Sequence, residues 1–257
     1  MSSWDSRLVA CLDDGPPDIG ALWEICMSFE FDRDQTADGI AAWLGPPDAR
    51  RVLDSACGSG FPALELVARG YDVTCTDGSD LMLRHFRRNA NLMGLDVVAV
   101  PALWAELPEL FGGGFDVVLN RGGGNYKYAG AWEAERLPER GEMLQAIQQW
   151  VACLKPGGVL YIDFAPESGD STIVHPHMRI GDHEVDLTEQ IVVDHPRRVR
   201  FWRSELIVDG QRYEFQRRSH CLAREEFLRM LAAAGLSDVH QIDVKGEFYQ
   251  VFTGTRL

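Results

Sequence analysis

From Arg51 onward the chain alternates short apolar runs with longer segments whose apolar positions recur at helical spacing. That rhythm is the one left by strands and helices taking turns in a parallel sheet. It predicts strands at Arg51–Ala56, Asp72–Thr76, Val97–Val100, Phe115–Asn120 and Val159–Phe164. Helices are expected from Gly60 to Arg69, from Ser79 to Met93 and from Arg140 to Cys153. Ahead of this region, Ala21, Leu22, Ile25, Cys26 and Phe29 share a helical face, and a second helical segment, Asp34 to Leu44, stops at Gly45-Pro46-Pro47. After Phe164 the rhythm changes to β-branched and aromatic residues broken by Gly181-Asp182 and Asp209-Gly210. The second pair, between Phe201–Val208 and Gln211–Arg217, is a hairpin signal, so residues 166–221 read as an antiparallel insertion. A last helix, Arg224–Ala234, stops at Gly235 and is followed by a strand at Tyr249–Thr253. The fold class expected is α/β: a Rossmann-like, doubly wound, mostly parallel sheet with N-terminal helices and an antiparallel β insertion before the last helix.

Composition narrows the function classes. With 46% hydrophobic and 25% charged residues, 257 positions suit one soluble α/β domain with a moderate insertion. No apolar run approaches the ~20 residues of a membrane span, and the first residues do not resemble an export leader. The six cysteines are scattered, with no C-x-x-C, which argues against a disulfide framework and for a reducing, cytoplasmic setting. A formal charge of −14 opposes nucleic-acid binding, which is driven by basic surfaces that release condensed counterions. A small-molecule partner is expected, with no nucleic acid and no membrane; a homo-oligomer stays open.

The chemistry centres on Val52-Leu53-Asp54-Ser55-Ala56-Cys57-Gly58-Ser59-Gly60. A strand that runs into a glycine turn and then a helix lets backbone approach a ligand, since glycine has no Cβ in the way. Gly58-x-Gly60-x-x-Ala63 also fits a loose dinucleotide fingerprint, leaving an NAD(P)-dependent oxidoreductase as an alternative. A dinucleotide needs a helix N-terminus for its pyrophosphate. S-adenosylmethionine carries instead an ammonium and a carboxylate, and Asp54 at the strand end can receive that ammonium. Asp77, ending the second strand, can accept both ribose hydroxyls of either cofactor.

From Arg51 to Phe164 the chain resembles the class I S-adenosylmethionine-dependent methyltransferases in several motifs, in order. They are Leu53-Asp54-x-Ala56-Cys57-Gly58-Ser59-Gly60, Val73-Thr74-x-x-Asp77-x-Ser79-Asp80-x-Met82-Leu83, Phe115-Asp116-Val117-Val118 and Leu154-Lys155-Pro156-Gly157-Gly158. The wider pattern, with Ala102-Leu103-Trp104, His220-Cys221-Leu222 and the antiparallel insertion, is similar to the glycine and sarcosine N-methyltransferases. The resemblance implies S-adenosyl-L-methionine as cofactor. It implies Ala56, Gly58 and Gly60 along its amino-acid part, Asp77 at the ribose, and Met82 or Trp104 on the adenine faces. Asp54, Gly78, Leu103 and Asn120 complete the expected cofactor set. A core tryptophan is the competing reading of Trp104. One domain, 1–257, is expected, divided into an N-terminal helical lid (1–48), a cofactor-binding core (49–165 and 222–257) and an antiparallel substrate cap (166–221).

The departures bear on the acceptor. Where the glycine methyltransferases resemble Phe164-Ala165 with a His-Arg pair whose arginine holds the substrate carboxylate, this chain has no arginine. After the fourth strand it has Arg121-Gly122-Gly123-Gly124-Asn125-Tyr126-Lys127-Tyr128 in place of Leu-Gly-Asn-Ser. The Asn/Asp-Pro-Pro-Tyr/Phe motif of adenine and amide methyltransferases is missing. Arg121 is therefore expected to pair an acceptor carboxylate, with Asp116, Glu133 or a carbonyl as its alternative partners. Tyr126 and Tyr128 are expected as cation–π walls, or else as tyrosines packed on the sheet edge. His220 is the available base, or a structural histidine. His175, His177 and His183 are expected as surface histidines and no metal site is expected. The function expected is methyl transfer to a small anionic or zwitterionic metabolite, an amine or amino-acid-like nucleophile, with N favoured over O. Non-methyl use of the same cofactor, by cyclisation or alkyl transfer, is the alternative within the fold.

Overall fold

The structure, a computed structural model, describes residues 3–122, 137, 139–165 and 169–257. They fall into two compact units, Met1–Phe31 with Glu167–Cys221, and Asp32–Pro166 with Leu222–Leu257.

The larger unit begins with α3 (Arg33–Leu44), which the N-terminal boundary at residue 48 had grouped with the helices before it. Asp32 caps that helix, its side chain accepting from the Gln35 amide, and Gly45 (φ 81°) ends it. The strands that follow are β1 (Arg51–Asp54), β2 (Asp72–Asp77), β3 (Ala99–Pro101), β4 (Phe115–Asn120) and β5 (Leu154–Phe164). Between and after them come α4 (Ala63–Ala68), α5 (Asp80–Leu92), a short α6 (Leu107–Phe111), α7 (Arg140–Cys153) and α8 (Arg224–Ala233). β11 (Leu236–Ile242), which the sequence pattern did not reveal, and β12 (Gln250–Arg256) complete a sheet ordered β11-β12-β5-β4-β1-β2-β3. β1 pairs in parallel with both β2 and β4, β12 is antiparallel to β5, and the strand order reverses between β1 and β4.

Two-residue periodicity sorts the strands between two cores. Leu53, Val118, Leu160, Ile162 and Phe164 face one cluster with Trp104, Trp150 and Phe227. Val52, Val117, Leu119 and Tyr161 face the other with Ile40, Leu64 and Phe86. The unit is thus covered on both faces, the doubly wound arrangement expected from the apolar rhythm. Phe164 stacks on Phe227 at 4.8 Å and meets Phe252 edge-on, anchoring α8 and β12 to β5.

The smaller unit holds α1 (Ser3–Asp13), which the helical lid expected over 1–48 includes without bounding it as a helix of its own, and α2 (Ile19–Glu30). Its antiparallel sheet comprises β6 (Ser171–Val174), β7 (Met178–Ile180), β8 (His183–Asp194), β9 (Val199–Val208) and β10 (Gln211–His220). The Asp209-Gly210 hairpin joins β9 and β10 as expected, with Val208 opposite Gln211. Leu187, Leu206 and Phe215 pack on Leu8, Leu22 and Ile25 of the helices. All six cysteines are free and buried. No helix among the described residues is long and apolar enough to cross a membrane.

Candidate functional site

Where β1 leaves the sheet, backbone hydrogen bonds fix the glycine turn before any ligand is considered. The Ser55 amide donates to the Leu119 carbonyl (3.0 Å), the Cys57 amide to Thr76 (2.9 Å) and the Gly60 amide to Cys57 (2.8 Å). Gly58 and Gly60 have φ of 54° and 119°, the left-handed region that glycine enters without strain. Gly60 has a second reason to be glycine, because a Cβ there would lie 2.3 Å from Leu64 Cδ1.

Asp77 ties this turn to β2. Its Oδ2 accepts from the Gly58 amide at 2.9 Å and its Oδ1 from the Ser79 amide at 2.8 Å. Ser79 in turn caps α5, its hydroxyl accepting from the Met82 amide. One carboxylate therefore sets the turn, the strand end and the helix start. Gly78 sits half-buried between these two anchors, and Met82 packs beneath Gly58. Ala56 donates its amide to Asp54 Oδ1 at 3.2 Å.

Asp54 and Asn120 end the two strands that flank the reversal of strand order, the crevice in which doubly wound sheets bind ligands. Both are buried, and each retains one inaccessible oxygen with no hydrogen-bond partner: Asp54 Oδ2 and Asn120 Oδ1. Asn120 Nδ2 is engaged, donating to the Ser55 hydroxyl at 3.0 Å, which fixes its oxygen as the idle end. Burial, with the Asp77 charge adding to it, pushes the Asp54 carboxyl from the usual carboxylate range up to about 7. Leaving buried acceptors unpaired costs about 1–3 kcal/mol each, so these two atoms mark where a donor belongs.

Of the two residues expected on the adenine faces, Met82 packs beneath Gly58 and Trp104 lies in the core, while Leu103 of the wider cofactor set is exposed. Leu103 stands exposed just after β3, offering an apolar face at the carboxyl edge of the sheet. Trp104 is a core residue: its Nε1 donates to the Ser55 carbonyl at 2.8 Å and its ring meets Trp150 edge-on at 5.0 Å.

Arg121 corrects an expectation. Its Nε and Nη2 each reach Glu247, at 2.8 Å to Oε2 and 2.8 Å to Oε1, with both side chains buried. Its guanidinium also lies over Phe61 and Tyr249. The fork that was to hold an acceptor carboxylate is closed on a carboxylate of the protein itself. Asp116, one of the alternative partners, accepts instead from the Arg51 amide and pairs with Lys155. Nothing in the sequence around Glu247 marks it as the partner of Arg121. The Tyr161 hydroxyl and the Phe248 and Tyr249 amides also donate to its carboxylate.

Tyr126, Tyr128 and Glu133 lie outside the described residues. His220 closes β10 opposite Val199, in the smaller unit. Of His175, His177 and His183, the latter two are engaged by acids on the exposed side of the insertion. His177 meets Asp186 and Glu184, and His183 meets Asp209 and Asp13. His175 is not a surface residue; its side chain is only 9% exposed.

Residues 52–158 match a methyltransferase domain family. The matched stretch is a methyltransferase domain, and it resembles those of the class I S-adenosylmethionine-dependent methyltransferases. Among relatives, the glycine N-methyltransferase of Oryctolagus cuniculus is 33% identical over 131 residues, covering 44% of this chain and 40% of that protein. The glycine/sarcosine N-methyltransferase of Parasynechococcus marenigrum is 28% identical, covering 57% and 49%. The chain thus spans half or less of the length of these two curated relatives. Among solved structures, an amino pentose methyltransferase of Micromonospora echinaspora with S-adenosylmethionine bound superposes with a TM-score of 0.72. It is 21% identical, and the match covers 92% of this chain and 97% of that one. DesVI of Streptomyces venezuelae gives 0.74 at 17% identity, covering 95% and 100%. At these identities the structures speak for the fold. S-adenosylmethionine is the cofactor that goes with the family.

Proposed function

We propose that this chain transfers a methyl group from S-adenosylmethionine to a small amine, with nitrogen favoured over oxygen as the nucleophile. The observation that carries the reading is the pair of idle buried acceptors, Asp54 Oδ2 and Asn120 Oδ1, on adjoining strand ends. They match the α-ammonium of S-adenosylmethionine. They do not match a dinucleotide, whose pyrophosphate asks for donors and would meet two oxygens instead.

The remaining residues fit the rest of the cofactor. The open turn at Gly58 and Gly60 admits backbone close to its amino-acid part, Asp77 offers carboxylate oxygens to the ribose hydroxyls, and Leu103 an apolar face to the adenine. Bound there, the cofactor supplies an electrophilic methyl on a sulfonium. The part left to the protein is alignment, which in proximity-driven reactions accounts for much of the acceleration. The hydrogen-bonded turn, held at Ser55, Cys57, Gly58 and Ser79, is rigid enough for that task.

The relatives named above act, by their names, on glycine and sarcosine, and the structural neighbour on an amino pentose, which favours an amine acceptor. A neutral amine attacks with its own lone pair and asks for little base catalysis. Committed to Glu247, Arg121 offers no anchor to an anionic acceptor. A cytoplasmic setting accords with the six free cysteines. The test is product formation: with S-adenosylmethionine and a panel of amino acids, amino sugars and other small amines, S-adenosylhomocysteine should appear with a methylated amine. A protein that binds S-adenosylhomocysteine by calorimetry yet methylates only hydroxyl compounds would overturn the nitrogen preference; one that binds neither cofactor form would overturn the reading.

A further inference from the structure

The smaller unit carries a second polar cluster. Glu30 ends α2, His175 follows β6 and Glu189 lies midway along β8. Alternation along β8 puts Val185, Leu187 and Glu189 on the same buried face, so Glu189 continues a row that is otherwise apolar. The pairing of Val174 with Thr188, and the His175 amide bonded to the Leu187 carbonyl, deliver His175 to this row. His175 Nε2 lies 3.1 Å from Glu189 Oε2 and 3.3 Å from Glu30 Oε1, and the three ligand atoms lie within 4.8 Å of one another. The side chains of His175, Glu30 and Glu189 are 9%, 10% and 2% exposed.

We propose that Glu30, His175 and Glu189 bind one divalent cation, with zinc the best fit to the donor set. Three observations carry this. First, Glu30 Oε1 is inaccessible, faces the other two ligand atoms and has no hydrogen-bond partner. Second, the two spacings at His175 Nε2, 3.1 Å to Glu189 and 3.3 Å to Glu30, suit an ion. Donors about 2.0–2.2 Å from a common zinc stand roughly 3.0–3.6 Å apart. An organic ammonium, with each acceptor about 2.8 Å away, spreads them to roughly 4.5 Å. Third, the ligands are oriented from behind. Glu189 Oε1 accepts from Trp202 Nε1 at 2.9 Å and from the Ser204 hydroxyl at 3.0 Å, which turns Oε2 toward the histidine. Such outer contacts are how proteins aim metal ligands.

Charge supports the assignment. Two carboxylates and a neutral imidazole cancel the charge of a divalent ion. One imidazole with two carboxylates and no thiolate suits zinc or manganese; calcium and magnesium prefer oxygen alone. The sequence concealed the site because His175-Pro176-His177 invites a paired-histidine reading, whereas His177 turns outward to Asp186 and Glu184. The ligands that join His175 come from α2 and β8.

The experiment is zinc uptake by the full chain after chelator stripping, read by equilibrium dialysis with elemental analysis and by thermal unfolding. One zinc per chain is expected, with the melting temperature raised by about 5 °C when free zinc is a hundredfold above Kd. Glu189→Gln and His175→Gln should lose the ion, and His177→Ala should keep it. Should those two variants fail to fold, Glu30→Asp keeps the charge, withdraws the oxygen by one methylene and should weaken binding at least about tenfold. A stripped, folded wild-type chain that takes up no zinc or manganese overturns the site, as does zinc that follows His177 instead of His175. S-adenosylhomocysteine calorimetry on the same samples keeps this outcome separate from that of the proposed activity.

Discussion

Arg121 and Glu247 face each other as a bidentate pair, Nε to Oε2 and Nη2 to Oε1 at 2.8 Å each, from the end of β4 and the segment before β12. Three further donors to Glu247, the Tyr161 hydroxyl and the Phe248 and Tyr249 amides, complete the network. Burial alone would raise the Glu247 carboxyl, but Arg121 outweighs it and holds the group below its ordinary range. Removing one partner of a buried pair leaves the other charge uncompensated, at a cost of about 3–5 kcal/mol. Arg121→Met should therefore lower the melting temperature strongly while leaving the acceptor KM of the surviving folded fraction near the wild-type value. A normal melting temperature with a tenfold higher KM would return Arg121 to the acceptor site.

Asp54→Asn should separate stability from binding. The Asp54 carboxyl is pushed from 3.8 to about 7 by burial, so between those values the unfolded chain is ionised there while the folded chain holds a proton. Its contribution to stability is present below the unfolded value and is lost as pH rises through about 7, on the order of 4 kcal/mol in all. The asparagine variant should melt higher than wild type at pH 8 and bind S-adenosylmethionine at least about tenfold more weakly. Lower stability together with unchanged cofactor affinity would remove Asp54 from the site.

The same group predicts a pH profile. An ammonium is received best by the ionised carboxylate, so S-adenosylmethionine affinity should rise from pH 6 to pH 8 in wild type as Asp54 titrates about 7. The rise should vanish in Asp54→Asn. Calorimetry at the two pH values, corrected for buffer ionisation, is the measurement, and an equal rise in both proteins would assign it to another group.

Asp77→Ala removes the acceptor of the Gly58 and Ser79 amides along with the proposed ribose contact. Cofactor affinity should fall by about 2–4 kcal/mol. Asp77→Asn, which keeps one acceptor oxygen, should recover part of it. Affinity unchanged in both variants would leave Asp77 as a tether of the turn alone.

Trp104→Phe tests the assignment of a core residue. It deletes the donor to the buried Ser55 carbonyl while keeping a ring against Trp150. Stability should drop by about 1–3 kcal/mol with cofactor affinity little changed. The reverse pattern would place the indole against the adenine.

Periodicity alone was enough to announce the alternating strands and helices of the larger unit, the hairpin at Asp209-Gly210 and the glycine turn after β1. Each is a local matter: apolar alternation reports which faces are covered, and a turn declares itself through the backbone its residues allow. Asp54 and Asp77 were legible for the same reason, since the ends of predicted strands could be counted. β11 was not, because residues such as Ser237, Asp238 and His240 break its apolar pattern and, among the described residues, it pairs only with β12. α1 likewise gave too mixed a pattern to read, and its apolar side becomes intelligible only against β7–β10 and α2. The partners of charged groups were beyond the sequence altogether. Glu247 reaches Arg121 and Glu30 reaches His175 because the chain returns to the same place after long excursions, and electrostatic pairing depends on distance in space. Sequence spacing carries that information only within one helix or hairpin; for Arg121 and His175 the tertiary fold alone chose the partner, and with it the role.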